Sequence, residues 1–426
     1  MSNPADVSFR EAVIVWFRIG ILSFGGPAAQ ISLLHNIVVE EKRWISEKNY
    51  LSALGFCMML PGPEAMQLAT YVGWRLHGVL GGLAAGILFV VPGALVVLGL
   101  AVAYALFGES SVLISIFYGI KAAVIAIIFD ALIKIARRSL KSRGQWILAC
   151  LGFIALFFFA LPFPIVVLAA AVWGFCRGKS FVGEFHSNNT SQISFGRLGM
   201  TVLVWSGLWF APIFFLWILF PNQLLTEVAT FFSTLAITSF GGAYAVLAYV
   251  AQEAVSSYDW LTAAQMMDGL GLAETTPGPL ILVTEFVGFM AGFTAGGITL
   301  GIASAAITLW VTFVPCFLWI FAGAPFIEVI AARPSLASAL ASITAVIVGV
   351  ILNLSVWFAL HVFFGDIEQN NYGPIIIWEP TFSSFDSRAA VLVLIAVLMI
   401  FAFKQSVLRV LLSVTLVSVA LTAFNL

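Results

Sequence analysis

Long apolar runs separated by short polar connections make up most of the chain. Gly78 to Phe107, Val112 to Ile135, Gly199 to Phe220 and Ala337 to Phe364 each reach the roughly 20 residues a helix needs to cross about 30 Å of hydrocarbon. The runs are continuous, which predicts helices. Strands of an outer-membrane barrel would instead alternate apolar and polar positions over segments of about 10 residues. Two further runs are interrupted. Phe9 to Val39 is cut at Gly25-Gly26-Pro27 and closes on Glu40-Glu41-Lys42-Arg43-Trp44, while Tyr50 to His77 is cut at Pro61-Gly62-Pro63. Proline and paired glycine stop a helix, so the arms are too short to span and the reading is a re-entrant hairpin or broken helix.

The breaks recur on one register. At an offset of 216 residues, Pro61-Gly62-Pro63 falls on Pro277-Gly278-Pro279, Ser23-Phe24-Gly25-Gly26 on Ser239-Phe240-Gly241-Gly242, and Trp44-Ile45-Ser46 on Trp260-Leu261-Thr262. Three matches on one offset define an internal repeat. Residues 1–176 are read as the first copy, 177–221 as a cytoplasmic linker with a connecting transmembrane helix, and 222–426 as the second copy. Gly199 to Phe220 is a single crossing that delivers the second copy to the opposite side, so the copies are expected to be inverted. The expected fold is an all-α polytopic membrane protein of two inverted-topology repeats with broken or re-entrant helices and about 13 membrane segments.

Composition fixes the solvent. Of 426 residues, 62% are hydrophobic and 9% charged, against about 25% charged in soluble proteins, so the chain cannot cover a water-facing surface. The charges are unevenly placed. Lys134, Arg137, Arg138, Lys141 and Arg143 mark a cytoplasmic loop by the positive-inside rule, and Arg177 and Lys179 return to the same side. The connections of the second copy carry Glu253, Asp259, Asp366, Glu368, Glu379 and Asp386, with Arg333, Lys404 and Arg409 as its main basic positions. This predicts a multi-pass protein of the bacterial inner membrane with a cytoplasmic N-terminus and a periplasmic C-terminus. No signal peptide is expected at Met1 to Val7, and a net charge of −1 points to no nucleic acid. Asn188-Asn189-Thr190 is a glycosylation acceptor in form, without meaning on the cytoplasmic side. Cys57, Cys150, Cys176 and Cys316 read as buried thiols. His35, His186 and His361 have no metal-ligand spacing, and there is no nucleotide loop or hydrolase motif. No metal, cofactor or enzymatic reaction is expected, and energy has to come from ions or the membrane potential.

Matched breaks in inverted copies point to a transporter site near the bilayer midplane. A helix starting inside the membrane presents unpaired N–H groups and roughly half a positive charge, which suits an anion. Pro63 and Pro279 stand where a first helical residue would, having no N–H to lose. Ser23, Ser239, Thr275 and Thr276 offer hydroxyls. Gln30 and Gln67 are neutral donors, and Gly25, Gly26, Pro27, Pro61, Gly62, Gly241, Gly242, Pro277 and Gly278 let a ligand approach the backbone. Glycine and proline also serve kinks and close packing in membrane helices, but matched placement in two copies favours a site. Ionisable residues at depth are the second signal, since a charge at the bilayer centre costs at least about 2.5–3.5 kcal/mol. Lys121 lies near mid-depth and can neutralise part of an anion; Asp130, nine residues on, is too far for an intrahelical pair. Glu64 either favours its helix dipole or carries a coupling proton. Glu274 and Glu285 invite the same comparison, and Arg18 is read as a site cation or an interfacial anchor.

Phe24-Gly25-Gly26-Pro27-Ala28-Ala29, Leu60-Pro61-Gly62-Pro63-Glu64-Ala65-Met66-Gln67-Leu68-Ala69-Thr70, Gly119-Ile120-Lys121 and Ala273-Glu274-Thr275-Thr276-Pro277-Gly278-Pro279 resemble the two-domain chromate ion transporters of bacteria, the CHR family. The resemblance covers both halves. It implies efflux of chromate across the inner membrane, chromate resistance, homologous halves of opposite orientation, and coupling to protons or the membrane potential. Chromate is a tetrahedral dianion like sulfate, and a potential negative inside assists its exit by about 2.3 kcal/mol per charge per 100 mV. Lys121 has no basic counterpart near Ile343 and Thr344, so the halves are not chemically equivalent. The expected partners are chromate or a similar tetrahedral oxyanion and the lipid bilayer, with protons as a candidate coupling ion and a homodimer as a candidate assembly. Transport of sulfate or another oxyanion on the same scaffold stays open, and an intramembrane enzyme lacks the nucleophile and base it would need.

Overall fold

A computed structural model describes residues 7–108, 110–178, 195–219, 223–240, 243–327 and 334–423. Gly241, Gly242, Lys179, His186, Asn188-Asn189-Thr190, Arg333 and most of the linker lie outside the described residues. The helices are α1 (Phe9–Leu22), α2 (Gly26–His35), α3 (Glu47–Cys57), α4 (Glu64–Phe107), α5 (Ser111–Ser139), α6 (Arg143–Phe157), α7 (Phe163–Cys176), α8 (Phe195–Leu219), α9 (Leu224–Thr238), α10 (Ala243–Gln252), α11 (Ala263–Thr275), α12 (Val283–Gly323), α13 (Pro334–Phe363), α14 (Ser387–Val397) and α15 (Val407–Ala423). Short polar side chains fix several starts: Ser8, Ser46, Ser110 and Asp386 each accept a first-turn N–H, and Ser142 forms a capping box with Gln145. Each such cap contributes about 1 kcal/mol.

Among the described residues five helical segments, Glu64–Phe107, Ser111–Ser139, Leu198–Leu219, Leu280–Gly323 and Ser335–Phe363, are long and apolar enough to cross a membrane. Two of these fold back on themselves. The α4 helix leaves helical geometry at His77 and Gly78 (φ 59°), and α12 does so at Gly296 and Gly297 (φ 77°). A positive φ is open to glycine at little steric cost. A short arm therefore precedes each span, and the first turn falls where the hydrophobic pattern ends its second segment, at His77. The arms touch backbone to backbone: a Cβ on Gly73 would stand 2.3 Å from the Gly81 carbonyl oxygen, and one on Gly292 would stand 2.5 Å from that of Leu300.

The chain forms two compact units, each drawing on both sequence halves. The first holds Met1–Val102, Gly178–Val246 and Thr276–Ala337; the second holds Ala103–Arg177, Leu247–Thr275 and Ser338–Leu426. In the first unit α12 packs against α8 and α9, and α1 meets α4 at Gly20. In the second, α5 packs against α11, α14 and α15, where the Ser418 hydroxyl donates to the Ser115 carbonyl (2.6 Å). Leu203, Phe214, Phe215 and Trp217 of α8 are exposed, as expected of a surface solvated by hydrocarbon.

The helices described agree with the expected all-α membrane fold, with one addition and one correction. Among the described residues β1 (Ile367–Tyr372) and β2 (Ile375–Pro380) add a small antiparallel hairpin to the helices. It turns at Gly373 (φ 64°), and the Ile376 N–H donates to the Phe158 carbonyl at the end of α6 (2.7 Å). A run of isoleucines between polar turns pairs readily as strand, a signal masked by the acidic residues around it. Of the four thiols, Cys57 and Cys316 are buried, whereas Cys150 and Cys176 are exposed on helices whose outer faces are as apolar as their inner ones. Gly20 supplies a direct check on packing. A Cβ there would lie 2.0 Å from the Leu88 carbonyl oxygen, whereas one on Gly99 meets nothing within 4 Å. Gly20→Val is expected to destabilise the protein by about 1–3 kcal/mol, and Gly99→Ala to be neutral or stabilising by up to about 1 kcal/mol, measured as thermal unfolding of the purified protein in detergent.

Candidate substrate site at the helix breaks

In the first unit, α1 ends at Leu22, and Gly25 (φ 87°) and Gly26 (φ 76°) redirect the chain into α2, with Pro27 in its first turn. At the second break Gly62 takes φ 111°. The Pro63 carbonyl accepts from the Gln67 N–H (3.1 Å) and the Pro279 carbonyl from the Leu282 N–H (2.9 Å). Both prolines are thus cap residues, one position earlier than the first helical residue the sequence reading assigns them. At Pro279 the cause is an extended backbone, ψ 138°, which closes the turn before the helix opens. Glu64 follows as the first residue of α4, where a carboxylate favours the dipole.

The breaks hold one another. The Gly62 N–H donates to the Ser239 carbonyl (3.1 Å), and the Gly278 N–H donates to the Ser23 carbonyl (2.9 Å), so two positions and their counterparts 216 residues on exchange reciprocal bonds. Ser23 Oγ also accepts from the Gly278 N–H (3.1 Å). Gln30 Nε2 donates to the carbonyls of both Ser23 (3.2 Å) and Gly278 (2.6 Å). Gln67 Nε2 donates to the Pro61 carbonyl (2.7 Å), leaving its Oε1 buried without a hydrogen bond among the described residues. Close approach needs glycine here too, since a Cβ on Gly93 would lie 2.2 Å from the Pro277 carbonyl oxygen. Further backbone events match in position: π-helical turns at Asn36–Glu41 and Glu253–Ser257, and left-handed residues at Arg43 (φ 53°) and Asp259 (φ 52°).

The hydroxyls point elsewhere than the sequence reading has them. Ser23 donates to the Gly20 carbonyl (2.8 Å), Ser239 to that of Ala236 (3.2 Å) and Thr275 to that of Leu272 (2.8 Å). All three stand at helix C-termini, where the last carbonyls have no partner in the helix. Thr276 is buried.

Lys121, Glu274 and Thr275 belong to the second unit, and the other described candidates to the first. Lys121 Nζ lies 3.3 Å from Asp268 Oδ1, the two side chains being 21% and 5% exposed, and the Tyr104 hydroxyl donates to Asp268 Oδ2 (2.8 Å). Gly271, one turn beyond Asp268, makes this possible: a Cβ there would meet Ile120 Cγ2 at 1.9 Å, so α11 comes against α5 at Lys121. Removing one partner of a buried pair costs about 3–5 kcal/mol, because the other charge is left uncompensated. Sequence reasoning did not single out Asp268. The available signal was a lone carboxylate in Met266-Met267-Asp268-Gly269-Leu270 and the need of a buried lysine for an opposite charge. Asp130 pairs instead with Lys134 (2.6 Å). Arg18 forms an exposed pair with Glu41 (3.4 Å), worth at most about 1 kcal/mol. Glu274 is buried at the end of α11, and Glu285 is 1% exposed with Oε2 making no hydrogen bond among the described residues. A cavity of roughly 340 Å³ in the second unit is lined by Glu253, Gln252, Asn353, Gln369 and Trp378 among others, with no Lys or Arg, so its walls do not suit an anion.

The model of the family described as "Chromate transporter" matches residues 10–175 and 226–422. The chain belongs to the chromate transporter family. Between the matched stretches lie residues 176–225, which include the connecting helix α8. It is 32% identical over 305 residues to the chromate transport protein of Pseudomonas aeruginosa (70% of each chain), and 31% identical over 292 residues to the probable chromate transport protein of Synechococcus elongatus (68% of this chain, 71% of the relative). An uncharacterized transporter of Bacillus subtilis, YwrB, matches over 149 residues, which is 35% of this chain but 75% of the relative. No solved structure matches. Within this member of the chromate transporter family, Gln30→Leu removes the two side-chain bonds to the carbonyls of Ser23 and Gly278. It is expected to cost about 1–3 kcal/mol in detergent thermal unfolding, more than Ser23→Ala.

Proposed function

We propose that the protein is a secondary transporter that exports chromate from the cytoplasm across the bacterial inner membrane and so confers chromate resistance. The observation that carries this reading is the reciprocal bonding between breaks in two pairs, Gly62 to Ser239 and Gly278 to Ser23, whose helix starts offer partial positive charge without an ionised side chain. The relatives named as chromate transport proteins support chromate as the substrate. The break residues and Gln67 are the proposed substrate-binding groups of the first unit, and Lys121 is the proposed substrate-binding cation of the second. Glu64, Glu274 and Glu285 are proposed for a charged or proton-coupled pathway.

The halves are read as inverted repeats. Support comes from matched breaks, π-helical turns and left-handed residues, and from α8, the helix described between the two matched stretches. The basic loop from Lys134 to Arg143 favours a cytoplasmic N-terminus and a periplasmic C-terminus. An inside-negative potential assists exit of a dianion by about 4.6 kcal/mol per 100 mV, twice the value for one charge. Sulfate is the second reading, since it shares the charge and tetrahedral geometry of chromate.

Cells expressing the protein are expected to accumulate less chromate than cells with an empty vector, and Lys121→Ala is expected to restore the vector level. Excess sulfate tests competition. Equal chromate accumulation with and without the protein would refute export, while normal export by folded Lys121→Ala would remove Lys121 from the site.

A further inference from the structure

We propose that Asp268 sets the charge selectivity of the transporter: it occupies Lys121 in the absence of substrate and gives it up to a dianion but not to a monoanion. This rests on the reading that Lys121 holds the oxyanion. Asp268 divides its two oxygens between two partners. Oδ2 accepts from the Tyr104 hydroxyl at 2.8 Å, whereas Oδ1 faces Lys121 Nζ at 3.3 Å without hydrogen-bond geometry. The ammonium group, with three protons to donate, is held by charge and not by alignment. Leaving Asp268 therefore breaks no well-formed hydrogen bond, and the carboxylate keeps its phenol partner. The ring of Tyr104 is itself held edge-on by Phe117, with centroids 4.9 Å apart. No second carboxylate or cation pairs with Lys121 or Asp268 among the described residues.

The exchange then depends on charge. A monoanion offers Lys121 no more attraction than the carboxylate it displaces, and adds repulsion from that carboxylate nearby. A dianion roughly doubles the attraction at the same distance, because Coulomb energy scales with the product of charges. The carboxylate acts as a resident competitor that an incoming anion must outbid electrostatically. A purely structural ion pair would instead need only opposite charges in either order.

The test measures chromate uptake into inside-out membrane vesicles, with sulfate and perchlorate as tetrahedral inhibitors of charge −2 and −1. In the unaltered protein sulfate is expected to inhibit and perchlorate to have no effect. Asp268→Asn is expected to lower the chromate KM by at least about fivefold and to make perchlorate an inhibitor. Tyr104→Phe leaves the carboxylate dependent on Lys121 alone and is expected to raise KM, the opposite direction. Lys121→Met is expected to abolish uptake. An unchanged KM with no perchlorate inhibition in Asp268→Asn overturns the proposal, as does recovery of normal uptake in the charge-swapped double variant Lys121→Asp with Asp268→Lys. If Asp268→Asn does not accumulate in the membrane, Tyr104→Phe decides: a raised KM supports the proposal and an unchanged one overturns it. Normal uptake by Lys121→Met would instead reject the lysine as substrate ligand.

Discussion

A backbone that stops being helical inside hydrocarbon must find partners for its N–H and C=O groups, because there is no water to take them and each orphan costs several kcal/mol. Everything distinctive about the first unit follows from that. The breaks satisfy one another in two pairs: Gly62 uses the carbonyl of Ser239, Gly278 uses that of Ser23, and Gln30 adds bonds to the carbonyls of Ser23 and Gly278. Glycine is required at these points for its positive φ and for the missing side chain. Proline is required for the extended backbone that lets a helix begin immediately afterwards. The helices that begin at Glu64 and Leu280 have their positively polarised starts fixed by the same bonds that make the breaks tolerable.

Charge inside the second unit is handled differently. Lys121 is matched by Asp268 and the phenol of Tyr104, so the cluster is neutral overall and its burial is affordable in a way a lone ammonium is not. Dipoles at the breaks are permanent and cannot be switched off, whereas a lysine held by a carboxylate is available only when something replaces its partner. The protein thus contains two kinds of positive potential, one always present and one conditional.

The hydrophobic pattern carried much of this fold and little of its wiring. Run length placed the spans, down to the turn at His77, and the recurrence of Pro-Gly-Pro at one offset located the breaks at Gly62 and Gly278. Local chemistry near helix ends was harder. Ser23, Ser239 and Thr275 look like free hydroxyls in a string of letters, but a helix terminus nearby claims their protons. Asp268 was invisible for a different reason: its importance comes from Lys121, 147 positions away in sequence, and depends on Gly271 being small enough for two helices to touch. The β-hairpin at Ile367 to Pro380 escaped because it lies in a polar connection, where apolar periodicity says nothing about spans.

The crossed bonds between the breaks also constrain how the protein is made. Gly278 lies 255 residues after the Ser23 side chain it contacts, and at roughly 5–20 residues per second of synthesis the second break reaches the bilayer some tens of seconds after the first. Through that interval the Ser23 carbonyl, and until Ser239 arrives the Gly62 amide, sit in or beside the membrane unanswered. The nascent half must therefore be sheltered, by the insertion machinery or by bound water, until its own continuation arrives to complete it.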